Sequence, residues 1–210
     1  MTASALWRRN ALGAAGALVG MAAVGFITQA LAGGDPSAAW LAAPVGASAL
    51  LVFALPASPL AQPWPVLGGN LVAGLIGHAL ALSGLPVPLA AALAVGLATA
   101  VMMLMRCVHP PAGGTAALMA LGSPAIAKAG WGFLLLPVGV NLAVLVVAGV
   151  IWHRLTGHSY PHRAAPVPAP QKRIEMHHIE QVLEDWDDTI DVDPQDLAAL
   201  IRAVEDKAHA

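Results

Sequence analysis

The stretch from Arg106 to Thr115 combines a cation, a titratable ring, two prolines, two glycines and a hydroxyl. A helix ends before consecutive prolines but can begin at them, because proline suits the first helical turn. The first amides of a helix lack intrahelical partners and attract anions, and the glycines would leave those amides accessible. The stretch therefore predicts an anion site made by the following residues: Arg106, His109, Pro110, Pro111, Gly113, Gly114 and Thr115.

The same residues also fit a purely structural interpretation. The two prolines could form a tight interhelical turn, and small residues such as Gly113 and Gly114 line helix interfaces in lipid. Arg106 could extend its side chain to the lipid head groups. Physical arguments alone leave both interpretations open.

A second stretch resembles the first. The run Pro44–Leu51 matches Pro111–Leu118 in residue type, and Asn70 has a counterpart in Asn141. The repeat predicts a second helix start, to which Pro44, Gly46 and Ser48 contribute, and asparagines that line or brace a pathway. The alternative is chance, since glycine, alanine and leucine dominate both runs.

The elements that hold these residues are apolar. The chain is 58% hydrophobic and 10% charged, and Asp35, Arg106 and Lys128 are the charged residues between Ala11 and Trp152. Such a stretch suits a bilayer and excludes an ordinary soluble domain. Six apolar segments are predicted, at about 11–32, 39–55, 66–83, 86–105, 111–126 and 131–152. The second and fifth are short, so they could be short spans, broken helices or re-entrant segments.

The arrangement predicted from these segments is an all-α membrane protein with two three-segment units. Three crossings per unit would invert the second unit relative to the first, as in many secondary transporters. The arginines at positions 8 and 9 place the N-terminus in the cytoplasm. Six crossings then put Arg106 and the C-terminus on the same side, so we expect a multi-pass protein of the cell (inner) membrane with both termini cytoplasmic. Re-entrant second and fifth segments would instead turn Arg106 outward.

The polar end of the chain differs from the rest. The predicted domains are a transmembrane domain at 1–160, a proline-rich linker at 161–173 and an acidic helical cytoplasmic tail at 174–210. The tail is predicted to hold one helix around 174–186 and another after Asp193, which is a suitable N-cap. Two such helices bury too little surface to be stable alone, so we expect a homo-oligomer or docking on the body. The acidic tail argues against nucleic acid as a partner.

Several motifs in this order resemble the HPP family of integral membrane proteins. They are the run His109–Ala116, the run Ala43–Ala54, Pro59–Trp64 and Gly68–Leu71. The resemblance covers about residues 10–160, and the family is usually described with about four transmembrane helices, fewer than six. Some members carry further domains after the membrane part, and plant-plastid and cyanobacterial relatives are associated with nitrite transport. The resemblance therefore implies a small-anion transporter.

The leading hypothesis is a transporter or channel for a small inorganic anion, nitrite first. The alternative is a membrane scaffold or sensor whose acidic tail binds a partner. An enzyme is not expected, because no nucleotide-binding loop or hydrolase motif is present. No cofactor is implied, and no metal site is expected, because the histidine spacing fits no established ligand pattern.

Overall fold

A computed structural model of the protein describes residues 3–34, 41–163 and 192–208, and the regular structure in these ranges is helical. The first helices are α1 (Ala3–Leu31), α2 (Pro44–Ala54), α3 (Asn70–Ala81) and α4 (Val87–Leu104). They are followed by α5 (Pro110–Leu121), α6 (Pro124–Ala129), α7 (Val140–Thr156) and α8 (Pro194–Ala208). A 3₁₀ turn at Pro59–Ala61 precedes α3. The predicted tail helix around 174–186 lies outside the described residues.

Three helices are long and apolar enough to cross a membrane, namely Trp7–Leu31, Val87–Leu104 and Leu134–Thr156. The helix Pro65–Ala81 is apolar but shorter. Helices α2 and α5 have 11 and 12 residues, which makes each roughly 17 Å long and too short for a hydrocarbon core of about 30 Å. The all-helical membrane class is therefore confirmed, whereas the relation between two inverted units stays a prediction.

The last helix of each predicted unit begins with an irregular segment. The π-helical segment Pro65–Gly69 leads directly into α3, whereas the segment Leu134–Gly139 before α7 is kinked, because Leu136 has extended dihedral angles (φ −133°, ψ 115°) ahead of Pro137. In both places an asparagine follows within two residues of the segment, Asn70 in α3 and Asn141 in α7. Wide turns of this kind interrupt the regular hydrogen-bond ladder and are frequent at functional sites.

The first long helix packs closely because glycines replace side chains on one face. A Cβ added at Gly16 would lie 2.6 Å from the indole nitrogen of Trp152, and one at Gly20 would lie 2.4 Å from the Phe53 ring. These glycines therefore seat Phe53 of α2 and Trp152 of α7 against α1. The resulting core also contains large buried side chains such as Leu145.

Glycines in and just before α3 also allow close packing, here against backbone atoms. A Cβ at Gly77 would lie 2.3 Å from the carbonyl oxygen of Ala116, and one at Gly69 would lie 2.6 Å from that of Cys107. The core shared by α3, α4 and α5 is formed mainly by buried alanines, together with Met102 and Cys107. Small residues thus let these backbones approach one another, as is common for helices in lipid.

One end of the bundle contains the start of α1, the ends of α2 and α7, and the loop before α3. Arg9, Ala54 and Thr156 line one cavity there, and the Tyr160 hydroxyl donates to the carbonyl of Ala61 at 2.9 Å. We call this the Arg9 end. Helix α8 begins at Pro194, directly after Asp193 as the sequence predicts, and lies against the Arg9 end.

Candidate functional site

The starts of α2 and α5 lie side by side within the bundle. The Ser48 hydroxyl is 2.8 Å from Nε2 of His109, and a Cβ at Gly114 would lie 3.4 Å from Pro44. Residue 48 is thus next to residue 109 while residue 44 is next to residue 114, so the two first turns run past each other in opposite directions. The structure brings together the two helix starts that the repeat predicts.

The ring of His109 is fully buried and uses both of its nitrogens. Its Nδ1 donates to the carbonyl of Leu60 at 2.8 Å, which leaves Nε2 to face Ser48. The Ser48 hydroxyl is also 3.3 Å from the carbonyl oxygen of Pro44. His109 therefore connects the start of α5, the start of α2 and the loop before α3, and does not extend into open space.

Some amides at both helix starts have partners inside the protein. Pro110 and Pro111 have no amide hydrogen, and the Ala112 amide donates to the carbonyl of His109 at 2.8 Å. At α2, the Gly46 amide donates to the carbonyl of Ala43 at 3.1 Å. These amides are therefore already used, and both starts also present the positive end of a helix dipole.

The two asparagines brace different elements. The Thr115 hydroxyl donates to Oδ1 of Asn70, whose amide donates to the carbonyl of Val66 in the π-helical segment. Asn141 accepts from the backbone amide of Ala42 at 2.9 Å and donates to the Thr28 hydroxyl at 2.8 Å. Both side chains are buried, so each asparagine fixes a helix start to its neighbours.

Arg106 occupies an unusual backbone position. Its φ of 51° is left-handed, the Cys107 amide donates to Met102, and its own amide donates to Met103. This is the Schellman end of a helix, where glycine is the usual residue because a side chain is strained there by about 1 kcal/mol. Arg106 is exposed, so its charge faces outward from the end of α4.

The predicted residues do not form one cluster. Ser48, His109, Pro44 and Gly114 meet at the helix starts, whereas Arg106 lies before them on the surface. Gly46 and Gly114 are exposed along the body and Gly113 is half-buried. Asn141 lies with partners of its own, away from the Asn70–Thr115 pair.

Two polar residues at the Arg9 end were not anticipated as site residues. Nε2 of the buried His153 donates to the carbonyl of Val52 at 2.8 Å, and its Nδ1 has no hydrogen-bond partner. The Tyr160 ring lies 5.5 Å from that of His153. Burial raises the pKa of the Tyr160 phenol, so the phenol remains a donor to Ala61. The sequence signal was only a histidine and a tyrosine close to the end of the last apolar segment.

Comparison with known proteins agrees with this architecture. The transmembrane region of the HPP family matches residues 2–161. Two transmembrane proteins of Dictyostelium discoideum are 34% and 32% identical to this chain, each over 120 residues, which is 55% of the chain. The matched part covers 38% and 42% of those relatives, less than half of their length. No solved structure matches the chain. Because the family's transmembrane region matches most of the sequence, the chain belongs to the HPP family of membrane proteins.

Proposed function

We propose that this protein moves a small inorganic anion, nitrite first, across the membrane. The observation that carries the proposal is the meeting of α2 and α5 at their starts, inside an apolar body and in opposite directions. Short helices whose positive ends converge within a membrane form the usual site for anionic substrates of secondary transporters. The HPP resemblance supports the same class of substrate.

The depth of Ser48 and His109 in the bundle supports six crossings of the membrane. Ser48 is six residues before the end of α2, or about 9 Å from the Arg9 end, and His109 lies at the same level. Helix α2 would complete a crossing that the preceding loop begins, and α5 would do the same in the other direction. Six crossings would make two inverted three-segment units, with both termini and Arg106 on one side of the membrane.

Seven of the predicted residues have a role in this proposal. The exposed charge of Arg106 attracts the anion toward the membrane, and the two helix dipoles stabilise it where Pro44 and Gly114 meet. Ser48 and His109 bond to each other at the same level, and a protonated His109 would add charge there. Asn70 and Asn141 hold the helix starts in place rather than binding the anion themselves.

The direct test is flux into liposomes that carry the purified full chain. We expect nitrite to enter faster than in protein-free liposomes, which measure the leak of nitrous acid. Nitrate, formate and chloride, tested in parallel, rank the substrates. Flux of all four at the protein-free rate would contradict the transport proposal.

Gly114→Val is the sharpest variant for this site. Its Cβ would lie 3.4 Å from Pro44, and the two added methyl groups would fill the contact between the helix starts. We expect nitrite flux to fall about tenfold or more, which corresponds to roughly 1.4 kcal/mol of added barrier. Gly96→Val is the matched control, because a Cβ at Gly96 meets nothing within 4 Å. Equal flux in both variants would mean that the helix starts form a packing contact only.

A scaffold or sensor is the second candidate, and the position of α8 favours it. His162 Nε2 lies 2.7 Å from the Asp196 carboxylate, so the tail docks on the body close to Arg9. A scaffold or sensor would show no nitrite flux and a strong effect of tail deletion. If the protein is instead a transporter whose tail only regulates or assembles it, truncation at Ala165 should preserve nitrite flux and change oligomer size or regulation. Complete loss of flux in a well-inserted truncated protein would instead assign the tail a part in transport.

A further inference from the structure

The 3₁₀ turn Pro59–Ala61 connects the helix-start site with the segment that follows α7. The carbonyl of Leu60 accepts from Nδ1 of His109 at 2.8 Å. The carbonyl of Ala61, the next residue, accepts from the Tyr160 hydroxyl at 2.9 Å. The His109 and Tyr160 side chains are both buried. Two consecutive carbonyls of one short turn therefore hold the ring at the helix starts and the first segment of the chain beyond α7.

Gln62 ties the same turn to both of its neighbours. Its side-chain amide donates to the carbonyls of Pro56 at 3.0 Å and Ser58 at 2.7 Å. Its Oε1 accepts from the backbone amide of His162 at 2.8 Å. One side chain thus closes the loop before the turn and attaches that loop to the segment after α7, so a displacement of the segment is transmitted to the turn.

Helix α8 reaches this segment through the side chain of the same histidine. Nε2 of His162 lies 2.7 Å from the Asp196 carboxylate, and Ala198, two residues further along α8, is buried. Asp196 also lines a cavity of about 410 Å³ together with the loop residues 54–58. The contacts of α8 therefore bear on both of the segments that Gln62 connects.

A helix that docks over such a cavity is held weakly. The pair of His162 and Asp196 is partly exposed, and a pair of this kind shifts an equilibrium by about fivefold at most. Leu200 and Val204 of the same helix are 62% and 60% exposed, so their burial adds little to the docking of α8. The docked and released states of α8 therefore differ little in free energy, as a regulatory element requires.

We propose that the docking of α8 regulates the helix-start site, by fixing the 3₁₀ turn in the position from which Leu60 holds the ring of His109. In the docked state Nδ1 of His109 is bound and Nε2 faces Ser48. When α8 is released, residues 157–163 and the turn loosen, and the ring loses its fixed orientation. The consequence for flux rests on the proposed transport function, whereas the coupling of α8 to the turn is measurable without flux.

Hydrogen–deuterium exchange of the full chain in detergent tests the coupling. Asp196→Ala removes the pair with His162, and alanine preserves the helix. We expect the amides of α8 to exchange about two- to fivefold faster, and the amides of Leu60 and Ala61, which donate within the loop, to follow by a similar factor. Asp206→Ala, at an exposed position of the same helix, is the matched control and should change neither. Faster exchange in α8 alone, or no change in either place, would overturn the proposal.

Truncation at Ala165 provides a second route to the released state. It removes α8 and leaves the segment after α7 in the chain, so the amides of the turn should exchange at least as fast as in Asp196→Ala. The exchange of α3, which does not depend on α8 in this proposal, should stay at the parent rate. A turn that exchanges at the parent rate in the truncated protein would show that α8 has no hold on it.

Tyr160→Phe tests the connection itself. It removes the hydroxyl that binds Ala61 and keeps the ring, so it should speed exchange at the turn while α8 stays docked. In the double variant with Asp196→Ala, exchange at the turn should rise by less than the product of the two single effects, because both act through the same segment. A full product would mean that the two residues act independently and would overturn the coupling.

Nitrite flux into liposomes measures the effect on the site. Asp196→Ala should retain flux but lower it about two- to fivefold, and Asp206→Ala should match the parent. Parent-like flux in an Asp196→Ala variant whose turn exchanges faster would overturn regulation of the site. If the parent itself shows no flux, the transport proposal fails alone, and the exchange measurements decide whether α8 controls the turn.

Discussion

The α1–α2–α7 half of the body and the α3–α4–α5 half use the same kinds of helix but pack them differently. The first half is filled by large side chains such as Phe53 and Leu145, which glycines of α1 accommodate. The second half is filled mainly by alanines, and Gly77 of α3 lies directly against the backbone of α5. A contact with a side chain can relax by a rotation, whereas a contact with a backbone carbonyl cannot. The second half is therefore the more rigid frame, and it holds the start of α5.

The polar anchors of the two helix starts differ in the same sense. Asn141 holds the chain before α2 through an amide, which does not titrate. His109 holds the start of α5 through an imidazole, which can gain a proton. Both helix starts are thus held by a buried polar side chain, and of these two side chains only His109 can respond to pH. The two halves therefore share the way in which a helix start is held and differ in its sensitivity to pH.

The largest expected effect is a loss of stability caused by a substitution in the α3–α4–α5 half. In Gly77→Ala the new Cβ would lie 2.3 Å from the Ala116 carbonyl oxygen and 2.9 Å from the Cβ of Met119. Because neither atom can rotate away, we expect a loss of about 3 kcal/mol in the free energy of unfolding. Thermal unfolding of the purified protein in detergent measures the change.

Gly16→Ala is the corresponding change in the other half. Its new Cβ would meet side-chain atoms of Trp152 and Phe53 at 2.6 and 2.7 Å, and these rings can shift. We expect a loss of only about 1 kcal/mol. If Gly16→Ala destabilises the protein as much as Gly77→Ala, the two halves are equally rigid and the comparison is wrong.

A smaller effect is expected at Arg106, where stability and function should move in opposite directions. Arg106→Gly relieves a left-handed φ of 51° and should raise the free energy of unfolding by up to about 1 kcal/mol. It also removes the charge that attracts the anion, so nitrite flux at low ionic strength should fall several-fold. Thermal unfolding and liposome flux, measured on the same preparation, check both directions.

Arg106→Lys separates charge from strain. It keeps the cation and the left-handed backbone, so its flux and stability should both stay close to those of the parent. A stabilised Arg106→Gly variant that transports at the parent rate would show that the arginine is merely tolerated at this helix end.

The sequence was a good guide to where helices begin. Pro44, Pro110 and Pro194 each stand at a helix start in the structure, because proline fixes the backbone locally and needs no distant partner. The apolar segments, and the change from an apolar to a polar sequence after Tyr160, could also be predicted, since they depend on composition alone. These features are local, and local physics determines them.

The contacts between helices could not be predicted from the sequence. Nothing in the sequence shows that His109 bonds to Ser48 rather than to an anion, or that Asn70 pairs with Thr115 while Asn141 pairs with Thr28. These partners are separated by 45 to 113 residues, so only the packed fold selects them. The tight turns at the helix starts, in which the amides of Gly46 and Ala112 donate to the preceding carbonyls of Ala43 and His109, were likewise not predicted.

The smallest expected effect is the response to pH of His109, which holds the start of α5. Since Nδ1 of His109 donates to Leu60, a proton must arrive at Nε2. The Ser48 hydroxyl, which then accepts from Nε2, can donate to the Pro44 carbonyl 3.3 Å away. Protonation therefore reverses one hydrogen bond without moving a helix, and it adds a positive charge where the two helix starts meet.

If this charge assists the anion, nitrite flux should rise a few-fold as the pH falls from neutral to mildly acidic values and His109 gains its proton. His109→Gln should flatten this dependence, because an amide does not titrate. Ser48→Ala should flatten it as well, because the protonated ring then lacks its acceptor, whereas Ser83→Ala, a change at an exposed turn, should leave it intact. Nitrite stays an anion across this range, and protein-free liposomes correct for nitrous acid leak. A pH dependence that survives both His109→Gln and Ser48→Ala would move the responsive group elsewhere and leave the two helix starts equivalent in function.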